Sequence, residues 1–123
     1  MTGEKQTKGA QGEQRVVEYL RGHGYRILER NYRCPLGEMD IIAREGKTVV
    51  FIEVKTRSSE RFGSPQAAVG PRKQRRMTAI ALYYLKANGL LDGPARFDVA
   101  AVSLGDGGDS VNLYKNAFDA TGF

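Results

Sequence analysis

The chain has 123 residues, 41% hydrophobic and 27% charged, a balance that suits one soluble globular domain and leaves no comfortable room for two. A single cysteine (Cys34) and a single histidine (His23) exclude an internal disulfide and a zinc site of clustered Cys and His. No apolar run nears the ~20 residues of a membrane span and no signal-like run opens the chain, so no membrane partner is expected and the cytoplasm is the default compartment.

In chain order, a polar, frayed stretch over residues 1–8 is expected to precede a single domain over 9–118 and a short tail over 119–123. The first helix runs from Gly9 to Arg21, with Val16, Val17 and Leu20 as its apolar face and Glu13 on that same face; Gly22-His23-Gly24 ends it. Tyr25 to Tyr32 reads as a strand, Arg33 to Gly37 as a turn, and Glu38 to Arg44 as a second strand. Glu45-Gly46-Lys47 turns the chain into a third strand, Thr48 to Thr56. There Val50, Ile52 and Val54 form one face, while Val49 and Phe51 share the other with Glu53 and Lys55, the pattern of a central strand covered on both sides.

Arg57 to Gly70 is a loop or short helical turn. Pro71 opens a second helix to Ala87, whose stripe Met77, Ile80, Ala81, Tyr84 and Leu85 follows the 3.6-residue period. Both Tyr83 and Tyr84 are assigned to the core. Strands from Ala95 to Leu104 and Ser110 to Lys115, joined through Gly105–Asp109, complete the order α-β-β-β-α-β-β: one mixed sheet flanked by helices.

The chemistry concentrates on the second and third strands. Glu38 and Asp40 point one way, as do Glu53 and Lys55, so pairing of the strands would gather three carboxylates and an ammonium. Such a patch is costly unless a cation offsets it. Asp40 and Glu53 could hold Mg²⁺ or Mn²⁺, leaving positions for water and a phosphate oxygen. Lys55 could then orient the water or neutralise developing charge. Glu13 would supply a further metal or water ligand from the first helix, the alternative being a rim residue paired with arginine. Glu38, just after a turn, is the weaker member and open to solvation. From Arg57 to Arg76 stand Arg57, Arg61, Arg72, Lys73, Arg75 and Arg76 against one acid, Glu60, an excess equal to that of the whole chain. This stretch suits a nucleic-acid backbone, with Lys73 also able to reach toward the acids. Asp98 is assigned a structural hydrogen bond to Arg96 or a backbone amide, and Cys34 no chemistry.

The segments Gly9-x-x-Gly12-Glu13, Asn31-Tyr32-Arg33-Cys34-Pro35-Leu36-Gly37-Glu38-Met39-Asp40, Phe51-Ile52-Glu53-Val54-Lys55-Thr56-Arg57 and Arg96-Phe97-Asp98-Val99 resemble the bacterial YraN-like proteins, from about Lys8 to Phe118. That group is regarded as endonucleases of the restriction-endonuclease-like, or PD-(D/E)xK, superfamily. Archaeal Holliday-junction resolvases are similar in fold and motif order. The resemblance implies that Asp40 is the first acid, Glu53 the second, Lys55 the lysine and Glu13 the helix-borne glutamate of the resolvase-like branch. Met39, not proline, precedes Asp40. The implied activity is Mg²⁺- or Mn²⁺-dependent hydrolysis of DNA, in branched or structured form. A non-catalytic nucleic-acid-binding module of the same fold is the rival, and an adaptor whose basic helix meets an acidic protein a third reading. Symmetric cutting of two strands would take two copies, which makes a homodimer a mechanistic expectation.

Overall fold

Thr7 starts the first helix: its hydroxyl accepts a hydrogen bond from the Ala10 amide at 3.1 Å, satisfying one of the amides a helix start leaves open. Helix α1 spans Lys8–Gly22, followed by β1 (Arg26–Cys34), β2 (Gly37–Glu45), β3 (Thr48–Arg57), α2 (Pro71–Ala87), β4 (Ala95–Ser103) and β5 (Ser110–Phe118). In this computed structural model the described residues are 7–57, 69–105 and 107–120. Neither helix among them is long and apolar enough to cross a membrane.

The strands form one sheet in the order β1-β2-β3-β4-β5. Neighbours run antiparallel except β3 and β4, which are parallel. A parallel pair needs a crossover, and α2 lies in it. Each helix covers one face. Val16, Val17 and Leu20 of α1 pack with Ile41, Val50, Ile52, Ala100 and Val102. Met77, Ile80, Ala81, Tyr84 and Leu85 of α2 pack with Met39, Ile42, Val49, Phe51 and Val99. The mixed sheet flanked by helices, in the expected element order, is thereby borne out, as is the two-sided burial of β3.

Three details depart from the sequence reading. β1 continues through Arg33 and Cys34, which pair with Glu38 and Gly37, so the turn shrinks to Pro35-Leu36. β5 continues to Phe118 because its ring stacks on Phe97 at 4.7 Å, across a bulge that puts Asn116 at φ 52°. Tyr84 is in the core, edge-on to Tyr32 and Phe51, but Tyr83 is 42% exposed: adjacent helix positions lie about 100° apart, and only one can face the sheet. The loop expected over Arg57 to Gly70 lies mostly outside the described residues.

Helix α1 sits close on β3 because Gly12 has no side chain. A Cβ there would come within 2.0 Å of Thr56 Oγ1 and 3.1 Å of Thr56 Cβ. Gly12 is buried and immediately precedes Glu13, so this contact sets where Glu13 lies relative to β3. Gly12→Ala is expected to destabilise the fold by about 1–3 kcal/mol, the usual cost of overpacking, and Thr56→Ala in the same chain to recover part of it. Urea unfolding of the single and double variants measures both; equal stability of Gly12→Ala and the natural chain would show that α1 is not held at this contact.

Candidate active site

The β2–β3 ladder runs from Glu45–Thr48 to Ile41–Ile52 and stops. The next step in register would join Asp40 to Glu53. Instead the Val54 amide donates to the Asp40 carboxylate at 2.8 Å, so a side chain takes the place of a backbone acceptor and β2 parts from β3. The side-chain alternation slips here as well. Met39 and Ile42 belong to the α2-side core but Ile41 to the α1-side core, so Met39 and Ile41, two residues apart, face opposite ways. Across the β1–β2 ladder, Asn31 lies between the pairs Arg30–Ile41 and Tyr32–Met39, opposite Asp40, with φ 51°. Asparagine is among the few residues that adopt this left-handed conformation readily.

Four elements besides β1 deliver charge to the fork. Glu53 is 5% exposed. Two ammoniums meet its Oε2: Lys55, from the same face of β3, at 3.4 Å, and Lys73, from the first turn of α2, in a close ion pair. Asp40, from β2, is half-buried and shares a hydrogen bond with Glu53. Burial, then the neighbouring Glu53 charge, pushes the Asp40 carboxyl up to about 7; the Val54 amide pulls the other way and Glu13 adds to the rise. Glu13, from α1, accepts a hydrogen bond from the Asn31 side chain; burial raises its pKa, with Asn31 and Arg30 opposing. The site therefore has more acid than its two lysines neutralise, in a place water solvates poorly.

The model of the uncharacterised protein family UPF0102 matches residues 12–102. This chain belongs to that family. Family proteins of Syntrophus aciditrophicus and Geotalea uraniireducens are 55% and 53% identical to it, each over 90% of this chain and 87% and 88% of their own lengths. One from Moorella thermoacetica is 53% identical over 85% of this chain and 87% of its own. The matched segment spans Glu13, Asp40, Glu53, Lys55 and Lys73. A solved structure of SfsA from Pyrococcus furiosus in complex with Ca²⁺ aligns with a TM-score of 0.39 at 14% identity, over 88% of this chain and 62% of that one. At that score the likeness carries no weight here, and the chain spans less than two thirds of that protein.

Of the residues singled out from sequence, Asp40, Glu53 and Lys55 meet at the fork and Glu13 faces it through Asn31. Glu38 does not join them: it is exposed and pairs with Arg33 at 3.0 Å, because the slip at Asp40 breaks the alternation that would have aligned the two acids. Lys73, grouped with the backbone-binding residues but also read as able to reach toward the acids, is engaged on Glu53. Arg72, Arg75 and Arg76 are exposed on the first turns of α2. Gly70, Pro71, Arg72, Lys73 and Arg76 line an open hollow of about 290 Å³. Arg57 closes β3, and Arg61 lies outside the described residues. Asn31 was missed; its only signal was its place in the motif.

The Asp40 shift makes a pH prediction. In the unfolded chain this carboxyl ionises near 3.8 and in the folded chain near 7, so between those values the folded state binds more protons and stability falls as pH rises. In metal-free buffer above pH 7, Asp40→Asn is expected to be more stable than the natural chain by roughly 2–4 kcal/mol, a gain that vanishes near pH 4. Thermal melts across that range would detect it; a pH-independent difference would mean that Asp40 ionises normally.

Proposed function

We propose that this protein is a divalent-metal-dependent endonuclease hydrolysing phosphodiester bonds in DNA, with branched or otherwise structured DNA as its preferred substrate. The observation that carries this reading is the apposition of Asp40 and Glu53 at the strand fork, with the Lys55 ammonium on the same glutamate. The sequence motif that resembles the restriction-endonuclease-like superfamily supports the same assignment. The donors suit Mg²⁺ or Mn²⁺, which prefer oxygen and commonly take one or two carboxylates while keeping several waters. Among the described residues no three His, Cys, Asp or Glu gather closely enough to cage an ion. Asp40 and Glu53 would hold it, and Glu13 would add negative charge from the α1 side without serving as a third ligand. Once bound, the ion supplies Lewis-acid activation of phosphate and water.

The chain's own groups have separate tasks. Lys55 orients the attacking water or meets the negative charge that grows on the phosphate oxygens. Arg72, Arg75 and Arg76 hold flanking phosphates; such contacts make affinity fall steeply with salt. The hollow at the start of α2 lies next to Glu53 by way of Lys73, which brings phosphate-binding surface and acids together. With one such site per chain, cutting both strands would take two copies, so a homodimer is the expected cutting form.

A non-catalytic nucleic-acid-binding module has one observation in its favour: the chain's own Lys55 and Lys73 already offset the Glu53 charge. Cleavage separates the two readings. Asp40→Ala and Glu53→Ala are each expected to lower Mn²⁺-dependent cutting of a branched duplex by on the order of 10²-fold or more, with far-UV circular dichroism unchanged. EDTA should abolish cutting by the natural chain. Turnover by either variant at the natural rate would eliminate the mechanism, and salt-sensitive binding without cutting across a panel of DNA structures would favour the module.

A further inference from the structure

We propose that Lys73 is a displaceable internal cation: it holds the place of the divalent ion on Glu53 and moves to a phosphate of the bound polyanion when the ion enters. This rests on the metal-site reading above and adds the way in which metal and nucleic acid depend on each other.

Three observations lead there. First, the Glu53 carboxylate is nearly inaccessible, yet it carries two ammoniums on one oxygen, Lys55 and Lys73. A divalent cation on Glu53 would face two positive charges at contact distance, a repulsion too large to leave both in place. Second, the two lysines differ in freedom. Lys55 is held on the central strand, its side chain 24% exposed, whereas the Lys73 side chain is 41% exposed at the first turn of a helix. Lys73 is the one that can leave. Third, it has somewhere to go. It lines the same open hollow as Arg72 and Arg76, at a helix start whose N-cap, Gly70, offers no side-chain acceptor. A phosphate in that hollow would draw the ammonium off Glu53, and an ion on Glu53 would push it toward the phosphate.

The consequence is thermodynamic. Metal and polyanion each favour the arrangement in which Lys73 has left Glu53, so each must raise the other's affinity by the same factor. Without nucleic acid Lys73 stays on the Glu53 carboxylate and competes with the ion, so metal binding is weak.

Mn²⁺ binding tests this with no reference to catalysis. Free Mn²⁺ is measured by electron paramagnetic resonance as the natural chain, Lys73→Met, Lys73→Arg and Asp40→Ala are titrated, with and without a short phosphorothioate DNA duplex. Lys73→Met alone is expected to bind Mn²⁺ at least about tenfold more tightly than the natural chain, and the duplex should no longer tighten it. Lys73→Arg, which keeps the charge, should retain the natural chain's weak binding and its response to DNA. Asp40→Ala should bind no Mn²⁺ in either condition. Equal or weaker Mn²⁺ binding by Lys73→Met, where the natural chain binds in an Asp40-dependent way, would overturn the displacement and leave the nuclease reading standing. No Mn²⁺ binding by the natural chain or by Lys73→Met, with DNA or without, would overturn both.

Discussion

The hydrogen bond from the Val54 amide to the Asp40 carboxylate is the interaction on which the site depends. An amide on a central strand must find an acceptor, and on β3 the acceptor is a side chain of β2 where a backbone carbonyl would ordinarily serve. That exchange ends the β2–β3 ladder at Ile41–Ile52 and opens a fork. It also keeps Asp40 beside Glu53, below the surface, where neither acid is well solvated. The left-handed Asn31 on β1 accommodates the same local twist and orients Glu13. The Gly12–Thr56 contact brings α1 near enough for Glu13 to be felt. Geometry, charge and helix position thus converge on one departure from regular pairing.

A second group of buried charges lies on β4 and its neighbours, and the contrast is instructive. Asp98 is fully buried, but Arg96 Nε donates to both its oxygens at 3.1 and 3.2 Å and the Asn116 amide donates at 3.0 Å. Arg96 in turn donates to Glu45 and to the Tyr25 hydroxyl. Every member of that network has complementary partners, which is what a structural role requires. At the fork both lysines fall on Glu53, Asp40 is held against that glutamate, and Glu13 is met by the Asn31 side chain and the charge of Arg30. Structural networks are closed; this one holds Asp40 and Glu53 side by side with Asp40 raised by the Glu53 charge, and that unrelieved pairing of acids is the physical basis for assigning it a ligand.

Much of this was legible in the sequence because periodicity is local. The α2 stripe and the two-sided burial of β3 follow from residue spacing, and Glu53 and Lys55 share a face for the same reason. Asp98 was assigned its bonds to Arg96 or a backbone amide because Phe97 and Val99 flank it, and it makes both. What escaped depends on contacts between elements. Strict alternation would align Glu38 with Asp40; the slip at the fork sends Glu38 out to Arg33. Tyr83 turns outward because helix phase, not composition, decides which tyrosine meets the sheet. Within the run Arg72-Lys73-Gln74-Arg75-Arg76, sequence left Lys73 with two roles, binding a phosphate backbone or reaching toward the acids, and helix spacing could not choose between them. That Lys73 alone reaches Glu53 follows from how α2 lies across β2 and β3, with the Arg76 stem and Ile80 closing over Gly37.

The most direct measurement is anomalous diffraction from a crystal of the natural chain soaked in Mn²⁺. A peak between the Asp40 and Glu53 carboxylates, with Lys73 turned away from Glu53, is the expected result. Manganese bound elsewhere in the same crystal, with the fork empty and Lys73 still on Glu53, would contradict the assignment of this site to a divalent cation.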